Sequence, residues 1–331
     1  MLFNKKIIFK NLLLLGLLIF PLVTLSQTSS LFIQISPEIP EPQDVVTASV
    51  SSSSFNLDLA NITWSLGGKK ISSNVGQKSV SFKVGEVGEP ISIKASATLG
   101  NTSAQGTLVV NPSEINLLWQ ATDVYTPPFY KGKALPTSES SIKITAIPNI
   151  WKNSGGTYKT SELSYKWRRD SEVLGSLSGR GVSTLFLKND YLKKSEQIGV
   201  EARNTSDFKV GREEVVIQIV EPKILFYEKN PILGILYGKA LLGSLPLSNE
   251  ELSIAAEPYF FSPNNKTSSK IKYSWSLNGN PVKAENLNPG VLIVRQQSGT
   301  SGSADISLLV TNPSKIMLSA VGNIMLNFKG R

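Results

Sequence analysis

Three tryptophans, Trp64, Trp167 and Trp275, stand 103 and 108 residues apart, each inside a similar stretch of sequence. The stretches read NITWSLGGK, LSYKWRRDSE and IKYSWSLNGN. Ile62, Tyr165 and Tyr273 each precede their tryptophan by two positions, and residues two apart in an extended strand share a face. Gly67-Gly68 and Asn278-Gly279 follow two of the tryptophans, and both dipeptides supply the positive φ of a tight hairpin. The pattern predicts a tryptophan on a central strand that enters a hairpin. A chain self-similar at this period must build one kind of unit more than once.

Alternating segments bracket each tryptophan. Upstream they are 46–50, 142–146 and 252–256; downstream they are 91–95, 198–202 and 306–310. A period of two gives each strand one buried and one wet face. Asn204 and Asn312 each follow their tryptophan by 37 residues and are placed to hold Asx-turns. YKGKAL at 130–135 and YGKALL at 237–242 make the second and third repeats closer to each other than to the first. Past residue 26 no apolar spacing keeps a helical period. The expected fold is all-β: three tandem antiparallel β-sandwiches, immunoglobulin-like in size and in the strand that carries the tryptophan, behind an N-terminal signal or anchor helix.

With these motifs the chain resembles bacterial exported surface proteins made of tandem immunoglobulin-like or PKD-like modules. The resemblance spans residues 27–112, 113–222 and 223–331 as modules one to three. The paired cysteines of antibody-type domains are absent, so each tryptophan is expected to pack against Ala and Val instead. The acidic WDFGDG run of PKD modules is replaced by WSLGGK or WSLNGN. At Pro112 and Pro222 one apolar strand ends and another restarts within three residues. Proline fixes φ and extends the residue before it, so the junctions are expected to be stiff and the modules to form a semi-rigid rod.

The first 26 residues stand apart. Lys5, Lys6 and Lys10 precede an uncharged, mostly aliphatic run at 12–25, and Thr24 and Ser26 are small residues placed before a cut at Gln27. That order is a secretory signal peptide, removed on export. A retained membrane anchor through residues 7–25 is the alternative. Either way the remainder is exported, with its C-terminus outside: extracellular or in the cell envelope.

Composition then excludes whole classes of chemistry. With no cysteine and no histidine, disulfides, thiol nucleophiles, Cys/His zinc sites and Ser-His-Asp triads are impossible. No calcium loop or phosphate loop is written in the sequence, so no catalytic, metal or cofactor site is expected. Two distant carboxylates meeting in the fold would be the one route to an enzyme. Removing the three N-terminal lysines lowers the formal charge from +9 to +6. The surplus is scattered, with no basic run interleaved with aromatics, and nucleic acid is not an expected partner.

Partners at the cell surface, protein or glycan, are expected instead. Residues 223–247 form the most apolar exported stretch, read as a sticky loop that docks a partner or membrane surface, with Ile232, Leu233, Ile235, Leu236 and Tyr237 as the candidate contacts. The other reading of this stretch is a first strand and a connection buried at a module boundary. Tyr125, Phe129, Tyr130, Trp151, Tyr259, Phe260 and Phe261 lie near expected loops, as sugar-stacking platforms or as ordinary packing. Adhesion or support is the expected work; an accessory subunit of a pilus or secretion apparatus, or a carbohydrate-binding module, are the alternatives.

Overall fold

A computed structural model describes residues 29–206, 208–247, 250–284, 288–297 and 300–329. The signal or anchor at 1–26 lies outside the described residues. Among them no helix is long and apolar enough to cross a membrane.

The strands divide between two compact units. The first holds β1 (Ser29–Ser30), β2 (Phe32–Ser36), β3 (Val45–Ser51), β4 (Asn61–Leu66), β5 (Lys69–Val75), β6 (Ser79–Lys83), β7 (Ile91–Leu99) and β8 (Thr102–Val110). They form two sheets, ordered β2-β3-β6 and β1-β8-β7-β4-β5. Pairing is antiparallel except where β1 runs parallel to β8.

The second unit begins with β9 (Glu114–Ala121), β10 (Ser141–Asn149), β11 (Ser164–Arg169), β12 (Glu172–Val173), β13 (Gly179–Arg180), β14 (Thr184–Lys188), β15 (Ser195–Arg203) and β16 (Val210–Gln218). Their sheets are β14-β10-β9 and β12-β11-β15-β16, with β13 on β11. It continues with β17 (Lys223–Asn230), β18 (Gly234–Leu241), β19 (Ser244–Pro246), β20 (Glu251–Tyr259), β21 (Lys272–Leu277), β22 (Asn280–Val282), β23 (Val291–Arg295), β24 (Gly302–Thr311) and β25 (Ser319–Phe328). These give sheets β18-β17-β20-β23 and β19-β25-β24-β21-β22.

Alternation in the sequence becomes alternation of burial. In β3, Val46, Ala48 and Val50 face inward while their neighbours face water; β25 does the same over ten residues. Each pair of sheets encloses one large apolar cluster. Trp64, Trp167 and Trp275 are buried one to a cluster, on β4, β11 and β21. An indole buried in apolar surroundings needs a partner for its N–H. All three use the same device: Nε1 donates to the carbonyls of Gln77, Val182 and Pro289, at 3.0, 2.8 and 2.9 Å. Each acceptor lies two residues ahead of the strand that closes the opposite sheet, β6, β14 or β23. The indole is thus a strut between sheets as well as filling.

The turns follow their residues. Gly67 and Gly68 have φ of +56° and +82°, and Asn278 and Gly279 have +50° and +79°, as a tight hairpin requires. The corresponding turn after Trp167 uses Asp170 at φ +53°. Asn204 and Asn312 accept from the amides of Ser206 and Ser314 at 2.7 and 3.0 Å, closing Asx-turns. YKGKAL and YGKALL, however, do not occupy equivalent places: 130–135 is loop, whereas 237–241 lies in β18. A six-residue likeness does not fix conformation when the two copies pair with different neighbours.

A third repeated device was not visible as a motif. Gly106, Gly211 and Gly322 lie on β8, β16 and β25 and let the chain at Leu31, Ile115 and Ile224, in the leading segment of each sheet pair, come close. A Cβ at Gly322 would stand 2.9 Å from the Ile224 Cβ, and one at Gly211 3.0 Å from Ile115 Cγ1; one at Gly106 would strike the Leu31 carbonyl. No side chain fits at such spacing without moving a strand.

Candidate functional site

The chemistry-bearing residues of the second unit gather where the loop between β9 and β10 meets the start of the third sheet pair. Only residues 219–222 separate β16 from β17. They are bonded rather than free: Ile219 donates to the Lys194 carbonyl at 2.9 Å and Val220 to that of Pro136 at 2.8 Å. Tyr125 then exchanges main-chain bonds with the far side, its N–H to the Phe261 carbonyl and its carbonyl from the Phe260 N–H, both 2.7 Å. Ala121, Val124 and Phe260 form a small apolar cluster beneath this contact.

Two charged centres flank it. Lys315 Nζ reaches Asp123 Oδ2 at 2.8 Å, the Glu139 carbonyl at 2.9 Å and Ser262 Oγ at 2.7 Å. Glu139 accepts from the Ile316 amide at 2.5 Å and from Lys188 at 3.0 Å. The Lys188 bond, outweighing a desolvation that opposes it, holds the Glu139 carboxyl below the usual carboxylate range. Thr137 Oγ1 donates to the Phe260 carbonyl at 3.0 Å.

The second centre is Glu257, on β20 and fully buried. Its carboxylate accepts from Tyr125 Oη at 2.5 Å, Tyr237 Oη at 2.9 Å and Lys266 Nζ at 2.6 Å. Tyr273 Oη donates to the Lys266 carbonyl at 2.8 Å, and Tyr227 and Tyr259 bond hydroxyl to hydroxyl at 2.8 Å. Burial, followed by the hydrogen bond to Glu257, pushes the Tyr125 and Tyr237 phenols well above their ordinary value, so both remain donors. Burial does the same to Tyr273. A buried carboxylate is tolerable only when its oxygens are saturated this way.

The expected aromatics divide accordingly. Tyr125, Tyr130, Tyr259 and Phe260 belong to this junction; Tyr130 sits edge-on to Tyr259 and Phe260 with centroids 5.9 and 5.7 Å away. Phe261 is core to the third pair. Phe129 lies edge-on to Tyr237 and is 86% exposed. Trp151 is half-buried, elsewhere in the second pair.

The apolar stretch 223–247 is neither a loose loop nor a wholly buried connection. It is the β17–β18 hairpin with β19 behind it. Asn230 Oδ1 accepts from the amides of Ile232 and Leu233, both at 2.9 Å, and fixes the turn. Ile232 and Leu233 stand 91% and 73% exposed at its tip. Ile235, Leu236 and Tyr237 are half-buried on β18, and Tyr237 is committed to Glu257. Among the described residues no group of three or more Asp or Glu is placed to hold a metal ion.

Sheet pairs of this strand order, each pinned by a core tryptophan, define tandem immunoglobulin-like modules. No protein-family model matches the chain, and no curated protein sequence matches it. Among solved structures it is similar to the fibronectin(III)-like modules of Clostridium thermocellum CbhA, at 18% identity and TM-score 0.29, over 57% of this chain and 94% of that one. It is similar to three N-terminal domains of the bacteriophage RB49 Highly Immunogenic Outer Capsid protein, at 12% and 0.26, over 92% and 99%. Sidekick-1 immunoglobulin domains 1–5 give 11% and 0.28, over 92% of this chain and 57% of that one.

Proposed function

We propose that this is a non-enzymatic, exported bacterial surface or envelope protein of three immunoglobulin-like modules, 27–112, 113–222 and 223–331, behind a signal peptide or anchor at 1–26. Its work is structural and adhesive: it holds binding surfaces for protein or glycan partners in fixed relation. The observation that carries this reading is the junction built on Tyr125, Glu257 and Lys315. It commits main chain, ion pairs and an aromatic cluster to fixing one module on the next, which suits a display scaffold and gives a catalyst nothing. Protease treatment of intact producing cells tests it. The chain is expected to be shaved from the surface, and a deletion strain to lose attachment to a protein- or glycan-coated support. Full protection of the chain in intact cells would overturn the reading.

One observation favours a second reading, an accessory subunit of an exported assembly. The Asn230 clamp holds Ile232 and Leu233 out in water, where apolar side chains serve a partner better than the monomer. Ile232→Asp with Leu233→Asp is expected to leave the melting temperature within about 2 °C, as exposed substitutions do. The same pair should abolish co-purification of a defined partner of the native complex. Retention of that partner would remove the hairpin tip from the interface.

A further inference from the structure

Two tips of the second unit hold bulky apolar side chains in water. Ile232 and Phe129 are the two most exposed large apolar residues among those described. Both positions are built. Pro231 precedes Ile232, and the Asn230 clamp fixes Ile232 and Leu233 at the end of the β17–β18 hairpin. Phe129 is the third residue of a four-residue turn: the Tyr130 N–H donates to the Pro127 carbonyl at 3.2 Å, and Phe129 has a φ of +65°. Glycine or asparagine is the usual choice at such a position, and a bulky side chain there is strained. Packing returns little of that cost, because the ring stands in water with Tyr237 edge-on at 6.3 Å between centroids. A side chain that strains the backbone and stays out of the core serves something outside the fold.

The two tips adjoin. Tyr237, beside Phe129, stands three residues past Gly234, where β18 leaves the hairpin turn, and three residues of strand cover about 10 Å. Their charge is of one sign. No Asp or Glu occurs in 124–138 or in 229–249, whereas Lys131, Lys133 and Lys239 do. All three lysines are exposed; Lys133 lies over the Trp119 ring at 3.9 Å, a contact that leaves its charge intact. Glu257, which Tyr237 holds, is buried and matched by Lys266. Narrow protruding turns do not offer a folded partner the flat apolar centre, ringed by further contacts, that protein interfaces use. A lipid surface needs no matching shape. Apolar side chains enter the headgroup boundary, and lysines behind them reach the phosphates.

We infer that these two tips dock together on an anionic lipid surface. The inference goes beyond the surface-protein reading and does not depend on it, since purified chain and vesicles suffice. The core clusters close with residues from Leu31 onward, so the chain from Gln27 folds without the segment before it. That form is used because the apolar run at 12–25 would itself enter lipid. Co-sedimentation is measured with vesicles of phosphatidylcholine alone and of equal parts phosphatidylcholine and phosphatidylglycerol. The anionic vesicles are expected to bind the chain, the neutral ones about tenfold more weakly, and salt to weaken the complex. Phe129→Gly is expected to lower affinity for the anionic vesicles about tenfold. Its melting temperature is expected to stay within about 2 °C, because glycine takes this φ without strain. Lys131→Glu with Lys239→Glu is expected to cost about tenfold as well. Lys143→Glu with Lys272→Glu, an equal change of net charge on exposed strand faces, is expected to stay within about twofold. No binding, equal binding to both vesicles, no loss in Phe129→Gly, or equal loss in both lysine pairs would overturn the inference. Such a failure in a chain still shaved from the cell surface leaves the surface reading standing and returns the hairpin tip to a protein partner.

Discussion

Trp167→Ala is expected to destabilise the second unit by about 3–5 kcal/mol, the range for truncating a large buried aromatic. Two losses combine. The side chain is fully buried in a cluster fed by both sheets, including Ile142, Ile144, Leu185, Val200 and Ile217, and those neighbours cannot collapse into the space without moving a sheet. The Val182 carbonyl also loses the indole N–H that ties it to the far sheet. Trp167→Phe separates the two, since it keeps most of the volume and deletes the bond; a cost of about 1–3 kcal/mol is expected. Differential scanning calorimetry measures both. For a unit of this size a melting temperature lower by roughly 6–20 °C follows for Trp167→Ala. A shift within one degree would show that Trp167 does not hold this core.

Glu257→Ala is the second large effect. It leaves the Lys266 ammonium and the Tyr125 and Tyr237 hydroxyls facing a void where the carboxylate had been. Removing one partner of a buried ion pair costs about 3–5 kcal/mol, because the remaining charge stays buried and uncompensated. Replacing both partners, Glu257→Leu with Lys266→Met, is expected to recover most of the loss, since an apolar pair of similar volume carries no desolvation cost. The distinctive readout is cooperativity. Wild type is expected to lose the second and third sheet pairs in one transition, and Glu257→Ala in two. One unsplit transition in Glu257→Ala, at unchanged temperature, would show that the junction does not couple them.

How much of this was legible in the sequence depends on how local the signal is. Gly67-Gly68 and Asn278-Gly279 announce their turns because positive φ is written into the residues. Asn204 and Asn312 are similar, since an Asx-turn needs only an asparagine and the amide two residues on. Asp170 does the same work at the third hairpin without a glycine, and nothing marks it in advance. The junction was hidden for another reason. Tyr125 and Glu257 are 132 residues apart, and in the alternation of β20 Glu257 falls on the wet face. It is buried because the loop after β9 and the bulged part of β18 cover that face, a fact of tertiary contact. Gly106, Gly211 and Gly322 read as three glycines among many until the strand opposite each is known. The apolar stretch 223–247 left two readings open because hydrophobicity alone does not separate a covered strand, such as β17, from an exposed turn, such as 231–233.

The parallel pairing of β1 with β8 has a mechanical meaning. There the leading and closing strands of a sheet pair are bonded directly, so tension between the ends of the pair loads those hydrogen bonds sideways and together, and they resist as a set. The other two sheet pairs are built otherwise. Their leading strands, β9 and β17, are hydrogen-bonded to β10 and to β18 and β20, and their closing strands, β16 and β25, to β15 and to β19 and β24, on opposite sheets. A pull there must cross from sheet to sheet through side chains, and the Trp167 and Trp275 struts lie between those sheets. Under load these two pairs are the fuses of the chain, where extension begins while the first pair still holds.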